Sequence, residues 1–319
     1  HGAPGTLEVR EVDAPSPGEG EVGIAVEAAG IGFVDSLMIA DKHQVHHPLP
    51  FAPGMEVVGR VTGLGHGTAG FQPGDRVAAV LTDGGLAEIA VAQATETFAV
   101  PEGCDPVATA GALVSALTAD LALVDRARLE PGERVLVGGA AGGVGLAAVQ
   151  LARAMDAHVL AVASSPDRQV LARTAGAQEA MDYKGLAARI KAKDLKVDVV
   201  IDPVGGAFGA AAPGALDWCG RYVTVGFAGG APPVFKGNHL LIKNRAAMGM
   251  VLGYYRRHRT QALARSAGRV FAAISAGSLD LPLTVLDDLS AAEAVIEDLR
   301  MRRFAGKAVI AMTQPRARP

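Results

Sequence analysis

Cysteine is scarce in this chain, and long apolar runs are missing. The 319 residues include only two cysteines, Cys104 and Cys219. Two thiols are too few for a disulfide framework or for a zinc site made of four thiolates, so we expect a reducing, cytoplasmic environment. No uninterrupted apolar run reaches the roughly 20 residues that cross a bilayer, so we expect no membrane partner.

An excess of positive charge is missing as well. The formal net charge is -3, and lysine and arginine are spread along the whole chain. Proteins that bind nucleic acids concentrate basic residues on one face, along the phosphate backbone. We therefore expect no nucleic-acid partner, and we interpret the short run "YYRRHR" from Tyr254 as the solvated start of a helix.

The composition that is present indicates a globular protein of two domains. Hydrophobic residues make up 50% of the chain and charged residues 20%, enough for a large core at this length. Nothing near the first residue resembles a secretory leader. Because the chain begins at His1, without a methionine, we expect that a few residues, including a first strand, precede it.

The chain changes its pattern near residue 106. From Glu8 to about Pro101 it consists of short β segments separated by glycine and proline, which is typical of an irregular β domain. A helical stretch to Leu129 follows, and then strands and helices alternate. Each strand is nearly continuous in Val, Ile and Ala, which indicates a parallel sheet covered on both faces. The helices between these strands are expected to end near Met155, Ala175, Lys193 and Leu216. The third of them is expected to begin around Leu186, after the strand "EAMDY".

This pattern predicts an α/β fold with two domains. The doubly wound parallel sheet is assigned to residues 114–253. The β-rich domain is assigned to residues 1–113 and 254–319, because the final segment "GKAVIAMT" reads as a strand that needs a sheet to join.

The stretch "VLVGGAAGGVGLAAVQLARA" runs from a strand through five glycines into a helix. Ala140, Gly142 and Gly145 occupy the three positions of the dinucleotide fingerprint, with alanine replacing the first glycine. Small residues also occur wherever a helix packs tightly on a sheet. The context is more specific, because the stretch follows a strand, opens a helix and begins a long β-α alternation. It predicts a pyrophosphate at the helix N-terminus.

The end of the next strand indicates which dinucleotide. An enzyme that uses NAD places Asp or Glu there, to bind the ribose hydroxyls. This chain has Ser164 and Ser165, with Arg168 one helical step away, and these suit the 2′-phosphate of NADPH. Asp167 complicates this interpretation. Ser165 is also a candidate cap for the helix that Pro166 begins, and both roles are compatible.

Nine segments in this order resemble the medium-chain dehydrogenase/reductase superfamily, specifically its zinc-independent quinone oxidoreductase branch. The resemblance implies a GroES-like catalytic domain formed by both chain ends, an inserted Rossmann domain, a cleft where nicotinamide meets substrate, and a homodimer. The segments are "GIGFVDSLM", "LPFAPGMEVVGRV", "GFQPGDRVAA", "GGLAEIAV", "LEPGERVLVGGAAGGVGLAAVQLA", "GAQEAMDY", "DVVIDPVGG", "GRYVTVGFAGG" and "LLIKN".

The resemblance also implies which residues contact NADPH. Thr118 is expected near the nicotinamide ribose, and Phe227 and Ala228 beside the nicotinamide. Tyr183 is expected at the 2′-phosphate with Ser164 and Arg168, although it also reads as a half-buried aromatic residue at the end of a strand, and Lys184 is an equal source of charge there. The residues expected at the pyrophosphate are Ala141, Gly142, Gly143 and Val144.

The sequence departs from the zinc-dependent relatives at their metal ligands. Those relatives hold catalytic zinc in three segments, where this chain has Gly32, Met55 and a residue near Val114. None of these is a zinc ligand, and only the neighbouring Glu56 carries a suitable group. Without a Lewis acid an alkoxide is not stabilised. We therefore expect no metal and reject alcohol oxidation.

Proton delivery is open at the level of sequence. Many relatives have Asn where this chain has Gly32 and Tyr where it has Leu37, so the substrate side is more apolar. The catalytic residues are unknown, with Asp35 and Ser36 as candidates, although Asp35 also suits a role in tying down a loop. Tyr254 and Tyr255 are further candidates for the cleft or for a domain junction. The histidines of "KHQVHHP", His43, His46 and His47, complete no metal-ligand spacing and are expected to face solvent.

Three functions remain open. The first is an NADPH-dependent reductase of quinones, and the second is a reductase of enoyl thioesters or α,β-unsaturated carbonyls. The third is an NADPH-binding protein with little catalysis. The partner is a small molecule in the first two cases.

Overall fold

A computed structural model describes residues 7–312 of the chain. The chain divides into two compact units. The first unit runs to Val114 and includes Arg256–Ser275 and the chain from Leu281 onward. The second unit comprises Ser115–Tyr255 and Ala276–Asp280.

The strands and helices follow one another in chain order. The strands are β1 (Glu21–Ile31), β2 (Glu56–Leu64), β3 (Arg76–Val80), β4 (Ile89–Gln93), β5 (Thr97–Ala99), β6 (Arg134–Gly138), β7 (His158–Val162), β8 (Glu179–Met181), β9 (Val197–Asp202), β10 (Leu216–Thr224), β11 (Ala246–Gly249), β12 (Leu283–Leu286) and β13 (Lys307–Ala311). The α-helices are α1 (Phe33–Ile39), α2 (Pro106–Asp120), α3 (Gly143–Ala154), α4 (Pro166–Thr174), α5 (Tyr183–Ala192), α6 (Gly206–Ala211), α7 (Gly237–Ile242), α8 (Leu252–His258), α9 (Thr260–Ser275) and α10 (Ala292–Arg300).

The first unit is built on a sheet of seven strands. Their order is β12-β13-β1-β2-β3-β5, with β4 also paired to β1. The last strand, β13, pairs antiparallel with β1 and parallel with β12. The buried side chains of β1, Val22, Ile24 and Val26, alternate along the strand, so one face of the sheet contributes to a continuous hydrophobic core.

The second unit is a six-stranded sheet in the order β11-β10-β9-β6-β7-β8, and every pairing in it is parallel. The strand order reverses at β6, because the chain first adds β7 and β8 on one side and then β9, β10 and β11 on the other. Ligands of such sheets bind beyond the carboxyl ends of the strands at this reversal. The predicted α/β fold is therefore confirmed.

Two element boundaries differ from the prediction. The helix expected to continue through Leu216 ends at Ala211 in a short 3₁₀ turn, because Pro213 lacks the amide proton that a longer helix requires. Leu216 instead begins β10, opposite Val197. Helix α5 begins at Tyr183, earlier than expected, because the Asp182 carboxylate caps it.

The helical segment Pro106–Ala127 ends two residues before the predicted Leu129. It has 22 residues, α2 followed by a π-helical stretch, and by length and composition alone it is apolar enough to cross a membrane. The segment is not an uninterrupted apolar run, because Asp120 and Asp125 lie within it. Most of the segment is buried inside the protein, and the core helix of a folded domain has the same length and composition.

Candidate functional site in the parallel-sheet unit

The turn between β6 and α3 is so tight that one of its glycines cannot be replaced. A β-carbon built on Gly145 would lie 2.2 Å from the carbonyl oxygen of Gly139 and 2.8 Å from Cα of Ala140. Both atoms belong to the backbone, so no side-chain movement relieves the overlap. The third fingerprint position is therefore fixed as glycine by the packing of the helix on the turn.

The alanine at the first fingerprint position has a simple explanation. The residue with a positive φ is Gly139, at 57°, one position before Ala140. Since glycine adopts this conformation without a steric cost, the sharp bend occurs at Gly139. Ala140 then needs no unusual backbone conformation and is fully buried.

The helix N-terminus at Gly142 is open. Gly142 is the N-cap of α3, and no side chain caps the helix there. It is exposed, and a β-carbon built on it would meet only the oxygen of Gly139, at an ordinary 3.5 Å. Helix geometry leaves the first amide groups, here those of Gly143 and Val144, without acceptors in the helix. Ala141 is buried behind the turn. These features fit an anion such as pyrophosphate.

The residues predicted around the 2′-phosphate follow two neighbouring strands. Val162 at the end of β7 pairs with Met181 at the end of β8, so the residues after these strands share one edge of the sheet. Ser164 is exposed just beyond β7, and Tyr183 and Lys184 follow β8. The structure thus brings the predicted polar groups to the same edge.

The side chain of Ser165 caps α4. Its hydroxyl accepts a hydrogen bond from the backbone amide of Arg168, at 3.4 Å, and Pro166 occupies the first turn. This capping role leaves the exposed Ser164 and the guanidinium of Arg168 as the groups best suited to a phosphate. Tyr183 is half-buried and packs against the core of the unit, as its aromatic alternative predicted.

A buried carboxylate that sequence reasoning missed organises the neighbouring loop. Asp202, at the end of β9, is fully buried. One carboxylate oxygen accepts hydrogen bonds from the amides of Val204 and Gly205, at 2.8 and 2.7 Å. The other accepts one from the hydroxyl of Tyr222, at 2.5 Å. Burial and the neighbouring Asp202 carboxylate raise the pKa of Tyr222 far above its ordinary value.

The loop after β9 packs on the glycine turn and on the loop after β10. A methyl group of Val204 lies 2.7 Å from the position that a β-carbon on Gly139 would occupy. The amide of Ala228 donates a hydrogen bond to the carbonyl of Pro203, at 3.3 Å. Phe227 is 50% exposed at the same edge of the sheet. The only sequence signal for this arrangement is an aspartate that ends a buried strand in "DVVIDPVGG".

Thr118, predicted near the nicotinamide ribose, lies in α2 and is 8% exposed. It belongs to the same unit as the glycine turn. Tyr255 of this unit is also buried, and its hydroxyl donates to the Asp125 carboxylate, whereas Tyr254 is 51% exposed.

Candidate functional site in the β-rich unit

An ammonium group lies among the three segments that hold zinc in the zinc-dependent relatives. The ammonium of Lys307 is ion-paired with one carboxylate oxygen of Glu56. It lies 3.8 Å from the position of a β-carbon on Gly32. The second oxygen of Glu56 accepts a hydrogen bond from the amide of Val114, at 2.6 Å. Lys307, a charged residue in an otherwise apolar strand, was missed by sequence reasoning.

Asp35 holds two loops together. Its two carboxylate oxygens accept hydrogen bonds from the amides of Gly32 and Gly54, at 2.7 and 2.8 Å. The side chain is enclosed, and burial raises its pKa to about 6, against the opposing effect of these hydrogen bonds and of Lys307. This geometry supports the structural alternative for Asp35.

The hydroxyl of Ser36 is also engaged in a local hydrogen bond. The residue is 3% exposed, and its hydroxyl donates to the carbonyl of Phe33, at 2.7 Å. The side-chain oxygens of both candidate proton donors, Asp35 and Ser36, are thus engaged in hydrogen bonds with the backbone.

The histidines after α1 do not all face solvent, contrary to expectation. His47 is 1% exposed, whereas His46 is exposed and paired with Asp41. Within residues 7–312, no group of three or more His, Cys, Asp or Glu side chains is arranged to hold a metal ion.

Comparisons with known proteins show which families this chain resembles. The model of the alcohol dehydrogenase GroES-like domain matches residues 18–102, and the zinc-binding dehydrogenase model matches residues 143–268. Quinone oxidoreductase-like protein 2 of Bos taurus is 33% identical over 311 residues, covering 96% of this chain and 89% of that protein.

Solved structures agree with these matches. The quinone oxidoreductase of Thermus thermophilus, which was solved alone and with NADPH, is 35% identical and has a TM-score of 0.81, with 96% of each chain covered. A mycobacterial quinone oxidoreductase is 29% identical with a TM-score of 0.88, covering 97% of each chain. The fold and the glycine turn thus define an oxidoreductase with a GroES-like and a Rossmann domain. The chain belongs to the medium-chain dehydrogenase/reductase superfamily and, within it, to the quinone oxidoreductase branch.

Proposed function

We propose that this chain is a zinc-independent enzyme that transfers a hydride from NADPH to a quinone or a similar electron-poor acceptor. The observation that carries the proposal is the exposed, uncapped helix N-terminus at Gly142, at the edge of the sheet where Ser164 follows β7 and Arg168 lies in the first turn of α4. Bound NADPH supplies the hydride. The amides of Gly143 and Val144 hold its pyrophosphate, and Ser164 and Arg168 bind its 2′-phosphate.

The choice of NADPH is supported by the relatives and by the chemistry of the strand edge. Solved quinone oxidoreductases with this fold contain NADPH. The exposed hydroxyl of Ser164 after β7 and the guanidinium of Arg168 in the first turn of α4 favour a phosphate over a bare ribose. Asp167, which complicates the assignment at the level of sequence, is exposed in the first turn of α4.

Independence from zinc is supported by the surroundings of Lys307. The fixed ammonium is paired with Glu56, the acidic residue that follows Met55. A cation placed there repels a second cation and occupies the carboxylate that a metal needs. Without a metal to stabilise an alkoxide, the enzyme reduces an acceptor that is already electron-poor.

Reduction of enoyl thioesters or enones is a second candidate function. It is favoured by the apolar character of α1 and its N-cap, where Gly32 and Leu37 stand in place of polar residues of many relatives. The polar atoms of Asp35 and Ser36 in this helix are bonded to the backbone. Both reactions use the same cofactor and the same hydride.

One panel of assays separates these functions. The purified chain is tested with NADPH and NADH against 1,4-naphthoquinone, 2-cyclohexenone and a 2-enoyl thioester, and its zinc content is measured. Preferred turnover of the quinone with NADPH supports the proposal, and preferred turnover of the thioester supports the second candidate. Tight NADPH binding without turnover indicates a binding protein, and stoichiometric zinc contradicts the proposal.

We further propose a cytoplasmic homodimer, on the basis of the family resemblance and the two reduced cysteines. Sedimentation velocity at micromolar concentration tests the assembly: a single species of twice the 32.5 kDa chain mass supports it. A monomer contradicts it.

A further inference from the structure

A cavity of about 460 Å³ lies within the parallel-sheet unit. Its walls come from α5, from the 3₁₀ turn after α6, and from the segment between Val234 and α7; we call it the α5 cavity. Leu216 starts β10 and Arg245 directly precedes β11, so the α5 cavity reaches the amino-terminal edge of the sheet. The residues assigned to NADPH lie at the opposite edge. Sites for small organic molecules have volumes of roughly 300 to 1,000 Å³, so the α5 cavity has room for one.

Packing holds the walls of the α5 cavity in place. The ring of Phe235 lies edge-on against the buried ring of Tyr222, with centroids 5.0 Å apart. The hydroxyl of Tyr222 is itself fixed, because it donates to Asp202 at 2.5 Å. In another wall, a β-carbon on Gly214 would lie 2.8 Å from a methyl group of Ile190, so α5 already packs closely on the turn after α6. A ligand that enters a preformed cavity loses little conformational entropy of the protein.

The lining combines apolar surface with positive charge. Its apolar side chains include Ile190, Leu216 and Phe235, and a fourth, Val234, is 83% exposed. No Asp or Glu is among the described residues that line the α5 cavity. Four basic side chains contribute to the lining: Lys191, Lys236, His239 and Arg245. Positive charge without a balancing carboxylate attracts an anion, and the apolar walls favour a ligand with an apolar body.

Arg245 gives part of this charge a fixed position. Its guanidinium donates to the carbonyl oxygens of Leu216, Asp217 and Pro213, the last two at 3.2 and 3.4 Å. Of the five N–H donors of a guanidinium, two are thus left without a protein acceptor within residues 7–312. Burial lowers the pKa of Arg245, and the carboxylate of Asp217 opposes this shift without forming an ion pair. An anion in the α5 cavity would offset the cost of burying this charge.

We infer that the α5 cavity binds a small amphipathic carboxylate, of the class of medium-chain fatty acids. The two remaining N–H donors of Arg245 match the two oxygens of one carboxylate. The apolar chain packs on Ile190, Leu216 and Phe235, and the lysines attract the anion from a greater distance. This site is separate from the cofactor site, and it adds a ligand to those of the proposed function.

Titration calorimetry with decanoate, below its micellar concentration, tests the inference. We expect saturable binding of one decanoate per chain. The affinity is expected to exceed that for 1-decanol, which has the same chain without the charge, by about 10-fold or more, because a hydrogen bond to a charged group is lost. Saturating NADPH should leave the affinity for decanoate unchanged, because the two ligands occupy opposite edges of the sheet.

Ala187→Phe fills the α5 cavity, and Ala188→Phe is its matched control. Both alanines are exposed on α5, but only Ala187 lines the cavity. We expect the first variant to weaken the binding of decanoate by about 10-fold or more and the second to bind like the wild type. Thermal unfolding midpoints equal to that of the wild type show that both variants are folded.

A second pair of variants tests the charge without adding bulk. Lys191→Gln with Lys236→Gln removes two charges from the lining, and Lys42→Gln with Lys193→Gln removes two from exposed positions outside it. We expect the first pair to weaken decanoate binding by about 3-fold or more, and the control pair to leave it unchanged. This comparison decides the question if Ala187→Phe does not fold.

Four results would overturn the inference. They are no saturable binding of decanoate to the wild type, equal affinity for decanoate and 1-decanol, unchanged binding in a folded Ala187→Phe, and equal affinity in the two lysine pairs. Displacement of decanoate by NADPH would overturn it as well, because it places the carboxylate in the cofactor site. None of these measurements depends on turnover, so a protein that reduces no acceptor contradicts only the proposed function.

Discussion

Glu56 and Lys307 form a buried ion pair, with side chains that are only 3% and 5% exposed. Burying two charges is favourable only when each has its partner and its remaining hydrogen bonds. Here the ammonium also donates to the carbonyl of Ile31 at 3.0 Å, and the carboxylate also accepts from Val114.

Replacing one partner of this pair is expected to destabilise the protein strongly. Lys307→Met leaves the carboxylate of Glu56 buried without its counter-charge, at a cost of about 3 to 5 kcal/mol in the free energy of unfolding. The double variant Glu56→Gln with Lys307→Met removes both charges and is expected to recover part of this loss. Urea denaturation measures both, and a Lys307→Met variant within about 1 kcal/mol of the wild type contradicts the prediction.

Gly145→Ala is expected to destabilise the second unit. The added methyl group would overlap backbone atoms of Gly139 and Ala140, so the helix has to move away from the turn. The control is Gly268→Ala in α9, where a β-carbon meets nothing within 4 Å and where alanine favours the helix. Thermal unfolding followed by circular dichroism should show a lower midpoint for the first variant and an equal or higher one for the second. Equal midpoints for Gly145→Ala and the wild type would refute the overlap.

Gly142→Val separates binding from stability at the same turn. The residue has φ -95° and ψ 170°, which any amino acid adopts, so the fold should be unaffected. The side chain would occupy the space assigned to the pyrophosphate, and we expect the affinity for NADPH to fall at least 10-fold, or about 1.4 kcal/mol. Calorimetric titration measures this, with Gly237→Val at the start of α7 as a matched control. Unchanged affinity in Gly142→Val means that the phosphates lie elsewhere.

Arg168→Ala tests the selection of the cofactor. Loss of the guanidinium removes a charge-assisted hydrogen bond to the 2′-phosphate, worth about 1.5 to 3 kcal/mol, but leaves the backbone amide that Ser165 caps. We expect KM for NADPH to rise at least 10-fold while KM for NADH stays the same. Gln169→Ala, the next residue of α4, is the control, and a parallel rise for both cofactors would assign Arg168 a purely structural role.

The raised pKa of Asp35 makes its contribution to stability dependent on pH. Because the folded protein holds this proton to about pH 6 and the unfolded chain releases it near 3.8, the contribution is greatest in acid and is lost as the pH rises toward 6 and above. We subtract the free energy of unfolding of Asp35→Asn from that of the wild type. We expect this difference to be about 2 kcal/mol more positive at about pH 4.5 than at about pH 7. Urea denaturation at both values measures it. A difference that is the same at both values, or larger at the higher pH, contradicts the raised pKa.

Local sequence patterns predicted most of the fold. The glycine turn, the strands around it and the parallel sheet follow from periodicity and from turn residues. The end of α6 was predicted wrongly. The small residues of "GAFGAAAPGAL" are compatible with a helix to Leu216, and the prediction ignored Pro213, which ends the helix. The cap on the helix that begins at Tyr183 was missed because Asp182 was taken for the end of a strand.

The candidate site was predicted only where its residues are close in sequence. Gly142 and Ser164 lie in the loops after β6 and β7, and Arg168 lies in the first turn of the following helix, so the alternation along the chain places them at one edge. Asp202 and Tyr222 are separated by 20 residues, and no local pattern pairs them. Their hydrogen bond depends on the parallel pairing of β9 and β10, which only the assembled sheet provides.

The sequence by itself determined the α/β class, the glycine turn and the residue types at the positions where relatives hold zinc, because each depends on residues within a short stretch. The tertiary structure decided which side chain lies among those positions and which buried polar groups form hydrogen bonds with each other. Lys307 reaches Glu56 across 251 residues, and Asp83 reaches His47 across 36. Such pairs form because a buried charge needs a partner, and the partner is chosen by the packing of strands and loops in space.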